Sequence, residues 1–215
     1  MSTEMGLRES KKQETRQLIS DHATRLFIEQ GFEPTTIAEI ATAARVAKKT
    51  VTNYFARKED MALDHHEEFT QSLARAVTAR AEGEPVVAAL RREFHAALEG
   101  HDPVAGFAGP EFARMIAESP TLTARLRELH EQREEALAAA LAALTPGTAP
   151  DIAPRAAAAL LASAHRLLFR RIQELTLAGR SNDRISAALA PEAAHLFDLL
   201  AAALGDGPAP AGARA

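Results

Sequence analysis

Apolar residues recur every three or four positions along this chain, and strict alternation of apolar and polar residues is nearly missing. That spacing predicts helices rather than strands, and alanine is abundant throughout, so the expected class is all-α. Leu18, Ile19, Ala23, Leu26 and Phe27 form the stripe of a first helix that stops at Gly31. Pro34 separates it from a short helix, Ile37 to about Ala43, and Thr36 with Glu39 has the T-x-x-E spacing of a capping box at its start. A second short helix is expected from about Ala47 to Tyr54, and a long one from Lys58 or Glu59 towards Glu82. Gly83, Glu84 and Pro85 break the chain, and helical spacing resumes over about 86–99, 111–118, 121–144, 153–178 and 184–204. Pro191 is expected to kink or split the last of these.

The pattern from Thr36 to Phe55, TIAEIATAARVAKKTVTNYF, fits two short helices crossed at a steep angle. The first buries Ile37, Ile40, Ala41 and Ala44, and Val46 plugs the turn. The second keeps Val51 and Phe55 inside and projects Lys48, Lys49, Thr50, Thr52 and Asn53 outward. This is the layout of a helix-turn-helix, whose second helix enters the major groove of double-stranded DNA. Lysines reach phosphates or guanine edges, asparagine pairs with adenine edges, and threonine contacts either. Tyr54 can hydrogen-bond a phosphate while its ring packs on the head.

Charge supports that placement once it is divided along the chain. The net charge is -4, but residues 8–58 carry ten basic and six acidic side chains, and all five lysines (Lys11, Lys12, Lys48, Lys49, Lys58) lie there. A phosphate-binding face needs local positive charge, not a basic protein. Cysteine is absent, which excludes disulfides, thiolate metal sites and a cysteine nucleophile. The N-terminus lacks the apolar core of a signal peptide, and the longest apolar runs are short for a bilayer, so a cytoplasmic protein without a membrane is expected.

From about Lys11 to Asp64 the chain resembles the DNA-binding head of TetR-family regulators. The resemblance rests on Gly31 and Phe32, on Thr35, Thr36, Ile37, Ile40 and Ala41, on Ala44 and Val46, and on Thr50, Val51, Asn53, Tyr54, Phe55, Lys58 and Glu59. It implies that Lys58 contacts a phosphate and that Thr36 and Tyr54 clamp the DNA backbone. The family usually has glycine where Arg45 stands, often serine where Ala47 stands, and usually an aromatic where Thr52 stands. Arg45 must therefore enter a turn conformation that glycine adopts more easily, and Ala47 leaves the second helix without a side-chain cap.

The body carries no catalytic constellation. Asp64, His65, His66, Glu67 and Glu68 form the densest set of possible metal ligands, and Glu192 with His195 makes one E-x-x-H element. A di-metal bundle needs two such elements and two further glutamates. A metal-dependent helical-bundle enzyme is thus the alternative reading, with no metal and no cofactor as the expectation. Large apolar residues from separate helices, namely Phe94, Phe107, Phe112, Met115, Leu126, Phe169 and Ile172, are the candidate lining of a ligand cavity. The stretch from Met115 to Pro120, followed by Leu122 and an Arg/Glu-rich helix, resembles the acyl-CoA-like-ligand-binding, mycofactocin-type branch of the same family. It implies a long apolar or thioester-bearing effector, with Arg114, Arg125 or Arg170 available for an anionic head group. In the family the last two helices form a homodimer interface, which points to Leu160, Ala164, Leu189, Leu196, Phe197 and Leu200. The expected organisation is a flexible arm (1–9), a helix-turn-helix domain (10–57), a ligand-binding and dimerisation body (58–204) and a disordered tail (205–215). The family resemblance implies a dimeric repressor that leaves a palindromic operator when a small effector binds.

Overall fold

The computed structural model describes residues 2–144 and 152–205, with side chains from Ser10 onward. Among the described residues ten α-helices follow one another: α1 Ser2–Gln30, α2 Ile37–Ala43, α3 Lys48–Tyr54, α4 Glu59–Ala62, α5 His66–Thr78, α6 Val86–Glu99, α7 Pro110–Glu118, α8 Pro120–Leu144, α9 Ile152–Leu177 and α10 Asn182–Leu204. A 3-10 turn, Pro103–Ala105, precedes α7, and no strand occurs among the described residues. The all-α expectation holds.

Three features differ from the sequence reading. The first nine residues do not form a separate arm, since α1 begins at Ser2. The helix expected from Lys58 to Glu82 is two helices, because α4 ends at Ala62 and α5 starts at His66. Leu63 leaves the helical region at φ -109, ψ 52, with no glycine or proline to announce it. Conversely, α10 runs unsplit through Pro191. By length and composition α10 could also cross a membrane, which the shortness of the chain's apolar runs does not announce. Its Ile185, Leu189, Ala193, Phe197 and Leu200 are nevertheless buried in the chain's own core. Of the expected tail, only Gly205 falls within the described residues.

The chain divides into two compact units: residues 1–66 with 114–125, and residues 67–113 with 126–215. The first unit thus takes in residues 58–66, which the sequence reading assigned to the body, and part of α7 and α8. Its core is Ile19, Ala23 and Phe27 of α1, with Phe32, Ile40, Ala41, Ala44, Val51, Phe55, Met61 and Ala62. Burying such a set is what holds helices as short as α2 and α3 in place, since neither is long enough to be stable alone.

In the second unit α10 packs against α6 and α9. Their core joins Val77, Leu90, Phe94, Leu98, Leu137, Leu161, Leu168, Ile172, Ile185, Leu189 and Phe197. Gly106 packs tightly there. Its φ is +123, and a Cβ would lie 3.3 Å from Ile172 and 3.4 Å from Phe169, so only glycine fits without displacement.

Candidate DNA-reading head and body cavity

The helix-turn-helix is built by local rules that can be followed residue by residue. Thr36 caps α2: its hydroxyl accepts from the Glu39 amide at 3.3 Å, and the Glu39 carboxylate accepts from the Thr36 amide at 2.8 Å. Both halves of the capping box are present. These bonds to Thr36 hold the Glu39 carboxyl below the usual range. At the end of α2 Arg45 has φ 55, the left-handed conformation expected from its glycine-like place. Its amide bonds to Thr42 at 3.1 Å and that of Val46 to Ala41 at 2.9 Å, which closes the helix end and turns the chain into α3.

α3 then has two faces. Val51 and Phe55 are buried. Lys48, Lys49, Thr52 and Asn53 are exposed, while Thr50 and Tyr54 are half-buried. Ala47 offers no side-chain cap, and no acidic residue stands in the first turn. Two lysines at the positive end of a helix are locally unfavourable. Their placement makes sense against an external anion.

Lys58 corrects the expectation of a phosphate contact. Its ammonium donates to the carbonyls of Phe32, Glu33 and Thr35 at 2.7, 3.2 and 3.0 Å, and it sits 4.1 Å from the centre of the Phe32 ring. All three N–H groups are used within the head, so Lys58 staples the loop between α1 and α2. Lys58→Met, which keeps the stem, is expected to cost the head about 2 kcal/mol. It should leave the salt dependence of DNA binding unchanged. Urea unfolding and binding at several salt concentrations check this; a phosphate contact would instead lower the salt slope by about one.

Four of the seven candidate pocket residues lie together in the second unit. Phe94 and Phe169 line a cavity of about 290 Å³ in the second unit. Phe107 and Ile172 lie in that unit's core. Phe112 and Leu126 are half-buried elsewhere, and Met115 is buried within the first unit. The cavity is bounded by α5, α6, the 3-10 turn, α8 and α9, through Ser72, Leu73, Leu90, Val104, Arg133 and His165 among others.

The arginines proposed for an anionic head group are also placed otherwise. Arg125 donates to Asp60 at 2.9 Å within the first unit, Arg170 faces Glu174 at 3.7 Å on the surface, and Arg114 is exposed. The cavity's buried cation is Arg133, which sequence reasoning missed.

Four of the six residues assigned to a dimer face, Ala164, Leu189, Phe197 and Leu200, are filled into the chain's own core, because they lie on the inner stripe of their helices. Leu196 is half-buried, and Leu160 is exposed. The outward apolar residues of these helices include Leu160, Leu167 and Leu199. Among the described residues no group of three His, Asp or Glu side chains is arranged to hold a metal. Asp64 accepts from Ser20 at 2.7 Å, and Glu192 lies 3.4 Å from Arg171.

The head matches the model of bacterial regulatory proteins of the tetR family over residues 19–64. A relative, the HTH-type transcriptional regulator TcmR of Streptomyces glaucescens, is 32% identical over 143 residues, 64% of this chain and 63% of that protein. The match therefore spans less than two thirds of the relative's length. Salmonella enterica GusR is similar in fold, with a TM-score of 0.54 at 20% identity over 87% of this chain and 94% of GusR. Thermus thermophilus FadR, a TetR-family repressor in complex with lauroyl-CoA, gives 0.50 at 25% identity, covering 92% of this chain and all (100%) of FadR. Residues 19–64 thus carry a head of the tetR type, and the fold is similar to that of TetR-family regulators.

Proposed function

We propose that this protein is a cytoplasmic transcriptional repressor that binds a palindromic DNA operator as a homodimer and leaves it when a small effector occupies the body. The observation that carries the reading is α3 itself: Val51 anchors it while Lys48, Lys49, Thr52 and Asn53 are exposed on its outer face. That is the geometry needed to lay polar and cationic side chains along a major groove. The outward leucines Leu160, Leu167 and Leu199 on α9 and α10 offer a self-complementary apolar face for the second subunit.

A small effector that is apolar or acyl-CoA-like is supported by the cavity beside Phe94 and Phe169, for the apolar body, and by the resemblance to FadR, described in complex with lauroyl-CoA, for the acyl-CoA-like alternative. Release then follows from population shift. The effector prefers a conformation whose heads are wrongly spaced for adjacent grooves.

The test uses duplex DNA titrated with wild type and with Lys48→Ala, Lys49→Ala and Asn53→Ala. Each lysine removed should weaken binding to all sequences and lower the salt slope by about one. Asn53→Ala should relax the preference at one base position, a loss of about 1–3 kcal/mol against the preferred base. Unchanged isotherms in all three variants would remove the reading.

A further inference from the structure

The cavity of the second unit contains a buried guanidinium whose Nε the fold leaves without a hydrogen-bond partner. Arg133 of α8 is 7% exposed, its guanidinium lies 4.6 Å from the centre of the Phe69 ring, and its Nε has no hydrogen-bond partner. Among the described residues no ion pair closes on it. His165 of α9, 6% exposed, borders the same cavity and also has a buried nitrogen, Nε2, without a partner. Polar atoms withdrawn from water and left unpaired are costly, and a native fold retains few of them.

The acidic groups around the cavity do not supply the missing partner. Glu68 lies 4.0 Å from Arg75, and Glu93 pairs with Arg92, all four being exposed. Asp102 is near enough to favour the Arg133 charge electrostatically, but no hydrogen bond joins the two among the described residues, and its carboxylate accepts from the Val104 amide at 2.8 Å and caps the 3-10 turn. What remains is one buried cation and one polar ring against an apolar wall that includes Leu73, Leu90, Phe94 and Phe169.

We infer that the effector of this protein is a small organic anion, a carboxylic acid with an aromatic or aliphatic body, whose carboxylate is taken by Arg133 and His165 in the α5–α6–α8–α9 cavity. The inference rests on the proposed role as an effector-released repressor and narrows its ligand. A guanidinium fits a carboxylate with two parallel hydrogen bonds. The apolar wall takes the body of the acid, and a cavity of about 290 Å³ holds a small molecule only. An acyl thioester has no charge at its acyl end and carries its anionic groups on the nucleotide.

The experiment titrates the full-length protein with benzoate, phenylacetate, 2-naphthoate and octanoate, with the amide of each, and with lauroyl-CoA. Calorimetry follows binding, and release is measured on protein–DNA complexes. Wild type should bind at least one acid tenfold or more tightly than its amide, and that acid should release DNA. Arg133→Met should lose the tenfold preference yet melt at a higher temperature without ligand, because it removes an unpaired buried charge. Arg133→Lys should keep part of the preference.

No acid preferred over its amide, or an Arg133→Met variant that retains the preference, overturns the inference. So does equal release of wild type and Arg133→Met by lauroyl-CoA with no release by any acid. Tight acid binding without release overturns the effector role. Absence of DNA binding by the ligand-free wild type would overturn the proposed function instead, and the calorimetry would still decide the anion site.

Discussion

Lowering the pH from 7.5 to 5 is expected to cost the second unit roughly 4 kcal/mol of stability, about 2 for each of two buried histidines. His130 stands between Phe69 and Phe169, with ring centres 5.0 and 5.4 Å away, and burial holds it at a pKa of about 4. His165 lies between Phe94 and Phe197 at 5.9 and 5.6 Å, and burial holds it at about 3. The charge of Arg133 adds to both shifts in the same direction. Since both folded values lie below the ordinary 6.5, the contribution is absent above that pH. Below it the unfolded chain takes up two protons that the folded chain refuses, so stability falls until the folded values are reached. Urea unfolding at pH 7.5, 6 and 5 measures the loss. The double variant His130→Phe, His165→Leu should flatten it. Parallel losses in wild type and variant would contradict this account.

Replacing Asp60 with alanine is expected to destabilise the head by about 3 kcal/mol. Asp60 accepts from Arg125 Nη2 at 2.9 Å and Nε at 3.2 Å, and both side chains are only 11% exposed. An exposed pair would contribute less than about 1 kcal/mol. Here the removal takes the Asp60 carboxylate from a mostly buried guanidinium. The double change Asp60→Ala, Arg125→Met should recover much of the loss, because it also removes the mostly buried charge. Denaturant unfolding of the two single variants and the double variant checks this. A single-variant loss below 1 kcal/mol, or additive losses, would contradict it.

Much of the head is legible in the sequence because local rules decide it. The T-x-x-E spacing fixes the start of α2, the need for a left-handed residue falls on Arg45, and the alternation of Val51 and Phe55 with polar neighbours sets the two faces of α3. Lys58 was harder to place, since its three acceptors lie 23 to 26 residues away. A contact of that separation has no signature in local spacing.

The body was less legible for a related reason. Large apolar residues from many helices fit either a core or a cavity wall, and spacing does not separate Phe107 and Ile172 from Phe94 and Phe169. Inner and outer stripes of an alanine-rich helix look alike, so spacing alone does not show that Leu189 and Phe197 face the chain's own core. One signal did exist. Leu122, Leu129, Leu137 and Leu141 form the buried stripe of α8, and Arg133 falls on it, four residues after Leu129 and four before Leu137. His165 likewise sits on the buried stripe of α9 with Leu161, Leu168 and Ile172. A charge or an imidazole interrupting an apolar stripe marks a site more sharply than the apolar residues themselves.

The most direct test of a groove-reading α3 is selection from a pool of random-sequence duplex DNA, using the full chain and its Lys48→Ala, Lys49→Ala double variant. The wild type should enrich an inverted repeat whose half-sites lie one helical turn, roughly 34 Å, or a multiple of it apart, and the variant should enrich it weakly or not at all. No enrichment by the wild type, or equal enrichment by both proteins, would contradict the account.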